Sequence, residues 1–197
     1  MTMYNRAFSM PNSQTFSMKP VKDFVEHWID TIYSEHHHGA YYDYCLDKDT
    51  EINKPIIVDP FARDSKYGTI TNDINTTTDA QYHMKADEFL DMLLDDGVQA
   101  DVVLYDPPYS PRQISECYSA SGIKTTQQDT QSSFYTKIKD RIRPLVKPDG
   151  IVLSFGWNSM GVGKKFGNYE EILLVTHGGA HNDTICVAQR KDTNEYV

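Results

Sequence analysis

The sequence is poor in cysteine, in positive charge and in long apolar runs. Its three cysteines, Cys45, Cys117 and Cys186, are far apart and odd in number. They form no CxxC pair, which excludes a disulfide framework and a cysteine-held zinc site and fits a reducing compartment. No metal is expected. No apolar run approaches the roughly 18 residues a spanning helix needs, and the first residues lack the charged-then-apolar layout of a signal peptide. The expectation is a cytoplasmic protein. Lysine and arginine number 19 against 28 acidic residues, a net charge of −9. Proteins that grip a long duplex usually carry a basic face, so the balance argues against an autonomous, tight duplex binder. Internal repeats and low-complexity tracts are missing too. What is present is 197 residues, 39% hydrophobic and 24% charged, enough for one α/β domain with a real core.

Residues 1–14 are polar and predict an irregular N-terminal arm. Over 20–34, Val21, Phe24, Val25, Trp28, Ile29 and Ile32 recur at spacings of three and four, which predicts an amphipathic helix opened by Pro20. Apolar strands and helical patterns then alternate. Strands are expected at 55–59, 68–73, 101–106, 151–155, 171–177 and 184–190, with helices at 86–95 and 131–145. Lys147-Pro148-Asp149-Gly150 reads as a turn. This alternation predicts a mostly parallel sheet with helices on both faces. The link between the last two strands is too short for a crossover, so they should pair antiparallel.

Three of the strands end in an acid: Asp59, Asp73 and Asp106. In an open parallel sheet, ligands bind outside the carboxyl ends of the strands. Like charges gathered there repel one another, so the acids either cap local turns or serve a ligand. An acid ending the second strand is placed to accept hydrogen bonds from ribose hydroxyls. Asp87, after Ala86, reads either as an adenine contact or as an acid favoured in a helix's first turn.

Asp106-Pro107-Pro108-Tyr109 follows an apolar strand directly. Consecutive prolines stiffen the loop and restrict each preceding residue. Such a loop suits methylation of an exocyclic amine, whose lone pair is delocalised into its ring. The Asp106 carboxylate and Pro107 carbonyl can accept the two N–H bonds and stabilise charge building on nitrogen. Tyr109 offers a flat ring for a base flipped out of a duplex.

With these residues in place, the chain resembles the amino-methyltransferases of the class I, Rossmann-like fold. It is most similar to DNA adenine-N6 methyltransferases, particularly small phage-encoded members. The resemblance runs over about residues 15–190, and the tetrapeptide is its specific part. It implies S-adenosylmethionine as cofactor, S-adenosylhomocysteine as product, and Asp106, Pro107, Pro108 and Tyr109 as the catalytic loop. Thr15-Phe16-Ser17-Met18-Lys19-Pro20 resembles the family's segment before the first strand, which implies cofactor contacts from Phe16, Ser17 and Lys19. Val58-Asp59-Pro60-Phe61 resembles the start of the cofactor motif, which implies a seat from Asp59, Pro60, Phe61 and Ala62. Asp73 with Ile74, and Ala86 with Asp87, fall where the family contacts ribose and adenine, and Asp106 borders the cofactor as well.

The chain departs from that pattern in two ways. No glycine follows Asp-Pro-Phe until Gly68; Arg63 stands there instead, as a partner for the cofactor's carboxylate or as a surface cation. Within these residues no separate target-recognition domain is expected. Arg112 and Gln113 just past the loop read as base or phosphate contacts or as a helix start, and Lys124–Gln128 reads as a mobile substrate loop. His36-His37-His38 reads as solvated or interfacial rather than metal-binding, and Gly161–Lys165 lacks full phosphate-loop spacing. The expected partner is nucleic acid, DNA before RNA, with a protein partner or homodimer for target choice. Cytosine N4, guanine N2 in RNA and a glutamine amide present the same planar amine. A degenerate, non-catalytic or partner-dependent cofactor-binding module is the rival reading.

Overall fold

The computed structural model describes residues 1–36, 54–122, 126, 132–179 and 181–193. His37, His38 and, Thr126 apart, the Lys124–Gln128 stretch lie outside the described residues. The elements run β1 (Met3–Phe8), a single 3-10 turn (Thr15–Ser17), α1 (Lys19–His36), β2 (Ile57–Asp59), β3 (Ile70–Thr71), α2 (Ala86–Asp95) and β4 (Ala100–Tyr105). They continue with α3 (Pro111–Ala120), α4 (Ser132–Leu145), β5 (Val146–Gly156), β6 (Gly167–Thr176) and β7 (Thr184–Lys191).

The seven strands form one sheet in the order β1-β6-β7-β5-β4-β2-β3. The pairs β1–β6, β2–β3, β2–β4 and β4–β5 are parallel, and β7 is antiparallel to both β5 and β6. This is the expected Rossmann-like architecture, mostly parallel with an antiparallel C-terminal strand. Side chains alternate across each strand, and the alternation divides the core in two. Val102, Leu104, Ile151, Leu153 and Phe155 meet Val21, Phe24, Val25, Trp28 and Ile32 of α1 on one face. Val103, Tyr105 and Val152 meet Phe89, Leu90 and Leu93 of α2, Ile114 of α3, and Ile138 and Ile142 of α4 on the other. With both faces covered, the central strands read as continuous apolar runs, which is why they were legible.

Strand order reverses at β2. The chain leaves β2 for β3 on one side and returns to lay β4, then β5, on the other. The crevice at this switch point lies at the carboxyl ends of β2 and β4. Asp59 is the last residue of β2 and Asp106 the first after β4.

Three local expectations change, and one left open is decided. The irregular arm contains a strand, β1, added to the outer edge of β6. Met3, Tyr4 and Phe8 on it are exposed, so no alternating burial pattern marked it in the sequence. The strand expected over 68–73 shrinks to two residues; beyond it the Asn72 and Asp73 N–H groups donate to Asp59 O and Tyr82 O, and the Asn72 side chain bridges two further segments. Asn72 accepts from Met84 N (3.1 Å) and donates to Pro60 O and Met84 O (3.1 Å each). The Lys147–Gly150 turn is absorbed into β5 as an irregularity facing Ala100–Val102, with Asp149 at φ 61°. Its Lys147 ammonium pairs with buried Asp101 at 2.7 Å. After the Asp106–Tyr109 loop, Arg112 and Gln113 lie in the first turn of a helix, α3, capped by Ser110 with Pro111 at its start.

Candidate active site

Asp59 is fully buried. Its Oδ1 accepts from Phe61 N at 3.1 Å, while its Oδ2 has no hydrogen-bond partner among the described residues. Burial pushes this carboxyl well above the usual carboxylate range, Phe61 N opposes the rise, and the neighbouring Asp106 and Asp73 add to it. Buried polar atoms are normally paired, so an orphaned carboxylate oxygen at the switch point marks a place for a donor or a cation from outside the chain.

The loop from Asp59 closes against β3. Ala62 N donates to Asn72 O and Asn72 N to Asp59 O, both at 2.9 Å. Asp73 accepts from Arg63 N through Oδ2 (3.0 Å) and from Asn75 N through Oδ1 (2.8 Å). Arg63 sits at φ 50°, in the left-handed region that glycine occupies freely. The backbone bend after Ala62 is therefore made by an arginine whose N–H is held by Asp73. The Arg63 guanidinium donates to Ser13 O, and its charge also favours ionised Asp106.

Asp106 leaves the end of β4 and accepts the Tyr109 hydroxyl at 2.6 Å. Burial raises its pKa, and hydrogen bonds from Tyr109 and Thr15 and the Arg63 charge partly offset that. Burial also holds the Tyr109 phenol far above its ordinary range, with Asp106 adding to the effect. The loop is braced from two helices. Tyr109 N donates to Gln113 Oε1 of α3 (2.6 Å), and Tyr135 of α4 donates to Pro108 O (2.8 Å). The 3-10 turn closes the α1 side, where the Phe16 ring meets Phe155 edge-on with centroids 4.9 Å apart.

The fold thus brings Phe16, Asp59, Pro60, Phe61, Ala62, Asp73, Asp106, Pro107, Pro108 and Tyr109 to the carboxyl ends of neighbouring strands. Ile74 packs half-buried beside them. Buried Ala86 and Asp87 open α2, anchored through Met84 to Asn72. Three expected contacts are turned elsewhere. Lys19 pairs with Asp23 at 2.6 Å and Arg112 with Glu116 at 2.7 Å, both at exposed positions. Ser17 is exposed and donates to Gln14 O at 2.7 Å. Gln113 braces the loop. Lys164 and Lys165 follow Val162 and Gly163, which are tied to Gln189 in the middle of β7, on the way to β6.

Two site residues were missed. Thr15 was visible only as the first letter of a motif whose later letters drew attention. Trp157 is the first residue after β5, as Asp106 is the first after β4, but the reading of strand ends attended only to acids. Its ring meets that of Tyr109 with centroids 5.6 Å apart and an interplanar angle of 68°.

No family model matches the sequence, and no curated protein matches it. Solved structures share its architecture. The hypothetical protein TTHA0928 of Thermus thermophilus superposes with a TM-score of 0.50 at 11% identity, over 93% of this chain and 92% of that one. SMU.776 in complex with SAH gives 0.47 at 10% identity, over 68% of this chain and 44% of that one. A methyltransferase homologue from Pyrococcus horikoshii gives 0.40 at 10%, over 70% and 61%. The likeness is one of fold. The chain spans less than half the length of SMU.776.

Proposed function

We propose that the chain is an S-adenosylmethionine-dependent methyltransferase acting on the exocyclic amine of a nucleobase, adenine N6 in DNA before other planar amines. One observation carries the reading. The stiff Asp106–Tyr109 loop leaves β4 at the switch point, beside a buried Asp59 oxygen that nothing among the described residues satisfies. That oxygen, flanked by Asp73 and Asp106, fits a ligand bearing donors and positive charge, as this cofactor does.

Asp59, Pro60, Phe61 and Ala62 would hold the cofactor with Phe16, while Asp73, Ile74, Ala86 and Asp87 would border its adenosine. When bound, the cofactor supplies a methyl group made electrophilic by a sulfonium sulfur. The chain's own work is to hold the amine. Asp106 and the Pro107 carbonyl accept its N–H bonds and favour the tetrahedral geometry that frees the lone pair. The Tyr109 hydroxyl now occupies Asp106 Oδ1, so it gives way as the amine arrives. The raised pKa of Asp106 makes it a better resting place for the proton shed once the C–N bond forms.

A partner-dependent variant of this reading has its own support. The chain carries a net charge of −9, and Arg112 beside the loop is tied to Glu116. Target choice would then come from a second subunit or from a substrate already unpaired.

Calorimetric titration with S-adenosylmethionine and S-adenosylhomocysteine tests the cofactor, and transfer of a labelled methyl group to adenine-containing DNA tests the acceptor. Saturable binding and transfer are expected. Asp106→Ala and Tyr109→Ala should each lower turnover at least about 100-fold while the protein stays folded. No binding up to millimolar ligand, or indifference to both substitutions, would overturn the proposal.

A further inference from the structure

Resting on that reading, we infer that Trp157 is the second aromatic wall of the acceptor site, which makes the acceptor a planar heteroaromatic amine, a nucleobase, rather than the primary amide of a side chain. The chain has two tryptophans, and they differ in kind. Trp28 is 4% exposed, and its indole N–H donates to Glu171 at 2.9 Å, as a structural tryptophan's would. Trp157 is 43% exposed although it directly follows the buried core of β5. Leaving so large a ring in water forgoes its burial energy, and the one ring contact it makes among the described residues is with Tyr109.

Trp157 is also held in place. The segment after it is tied to the sheet by fully buried Gln189, which accepts from Val162 N at 2.8 Å and donates to Gly163 O at 3.2 Å. A Cβ on Gly161, which sits at φ +52°, would lie 2.0 Å from Gln189 Oε1, so the close approach depends on that glycine. Tyr169 donates to Met160 O at 3.0 Å, and Asn158 Oδ1 accepts from Met160 N at 3.0 Å. A ring presented from a pinned loop is preorganised to stack.

The Tyr109–Asp106 hydrogen bond links stacking to chemistry. While the hydroxyl sits on Asp106, the Tyr109 ring stands edge-on to Trp157. An amine that takes Asp106 releases that hydroxyl and lets the ring turn face-on to the incoming base. A base fills the slot between two aromatic faces. An amide has no ring to place there.

Trp157 emission provides the test, since an exposed indole is quenched by acrylamide and buried Trp28 is a constant background. With S-adenosylhomocysteine present, a short single-stranded adenine oligonucleotide should quench that emission and shield it from acrylamide. Both signals should vanish in Trp157→Leu, and Trp157→Phe should restore binding. With S-adenosylmethionine, Trp157→Leu should lose about tenfold to a hundredfold in kcat/KM for the oligonucleotide, mostly through KM, with cofactor affinity unchanged. Wild-type kcat/KM in Trp157→Leu, or methylation without any change in Trp157 emission, overturns the assignment and leaves the reaction standing. Transfer to a glutamine peptide, with neither quenching by nor transfer to the oligonucleotide, overturns the assignment together with the nucleobase reading.

Discussion

Asp59 sits where a negative charge is disfavoured. Burial and two acidic neighbours lift its pKa above the ordinary 3.8, so the folded chain holds this proton more tightly than the unfolded chain does. The resulting penalty is absent below the unfolded value, grows as pH rises above it, and levels off only beyond the folded value. Asp59→Asn should therefore raise stability at pH 7 by about 1 kcal/mol, a gain that shrinks as pH falls toward 4, while cofactor binding is lost. Thermal melts at several pH values with a titration of the variant would check both halves, and a gain that grew toward low pH would contradict the assignment. Arg63 makes a complementary point. It holds a positive φ that usually favours glycine, so Arg63→Gly should shift stability by less than about 0.5 kcal/mol, whereas glycine in an exposed helix costs about 1 kcal/mol. Urea midpoints would measure the difference.

Elements here are joined by side chains as well as by backbone ladders. The Asn72 side chain, just past β3, pairs buried backbone groups of the loop after β2 and of the approach to α2. Asn72→Ala leaves those buried groups unpaired and should cost about 2–4 kcal/mol. Because the same bonds align Asp59, Asp73 and the start of α2, cofactor affinity should fall as well, although Asn72 is not among the residues assigned to the cofactor. Calorimetry below the variant's melting temperature separates the two effects, and unchanged affinity would detach this bracket from the site. The strand-end acids and the tetrapeptide were legible because strand periodicity and proline sterics are local. The Asn72 bracket was not, since it depends on a side chain bonding twelve positions away.

At the scale of the whole molecule, charge decides how a polyanion is met. With a net charge of −9, the chain repels a polyanion on average, and Lys19 and Arg112 are paired with adjacent acids. The isolated chain should bind duplex DNA weakly, with a salt slope of about 1–2 against the 6–10 phosphate contacts of a dedicated duplex binder. Fluorescence anisotropy across a salt series would measure it, and tight, sequence-selective binding would refute a need for a partner. Among the described residues no helix is long and apolar enough to cross a membrane.

The sequence by itself determined the alternation of strands and helices, the acids at strand ends and the stiff Asp106–Tyr109 loop. Each follows from residues close together in the chain, through side-chain period or restricted backbone angles. Only the tertiary structure decided what these residues face. It brought Thr15 and Trp157 onto the Asp106–Tyr109 pair, turned Lys19 and Arg112 to local ion pairs, laid β1 on the sheet's outer edge, and left one Asp59 oxygen without a partner among the described residues where strand order reverses. Those outcomes depend on sheet order and on contacts between distant segments, which a local pattern does not encode.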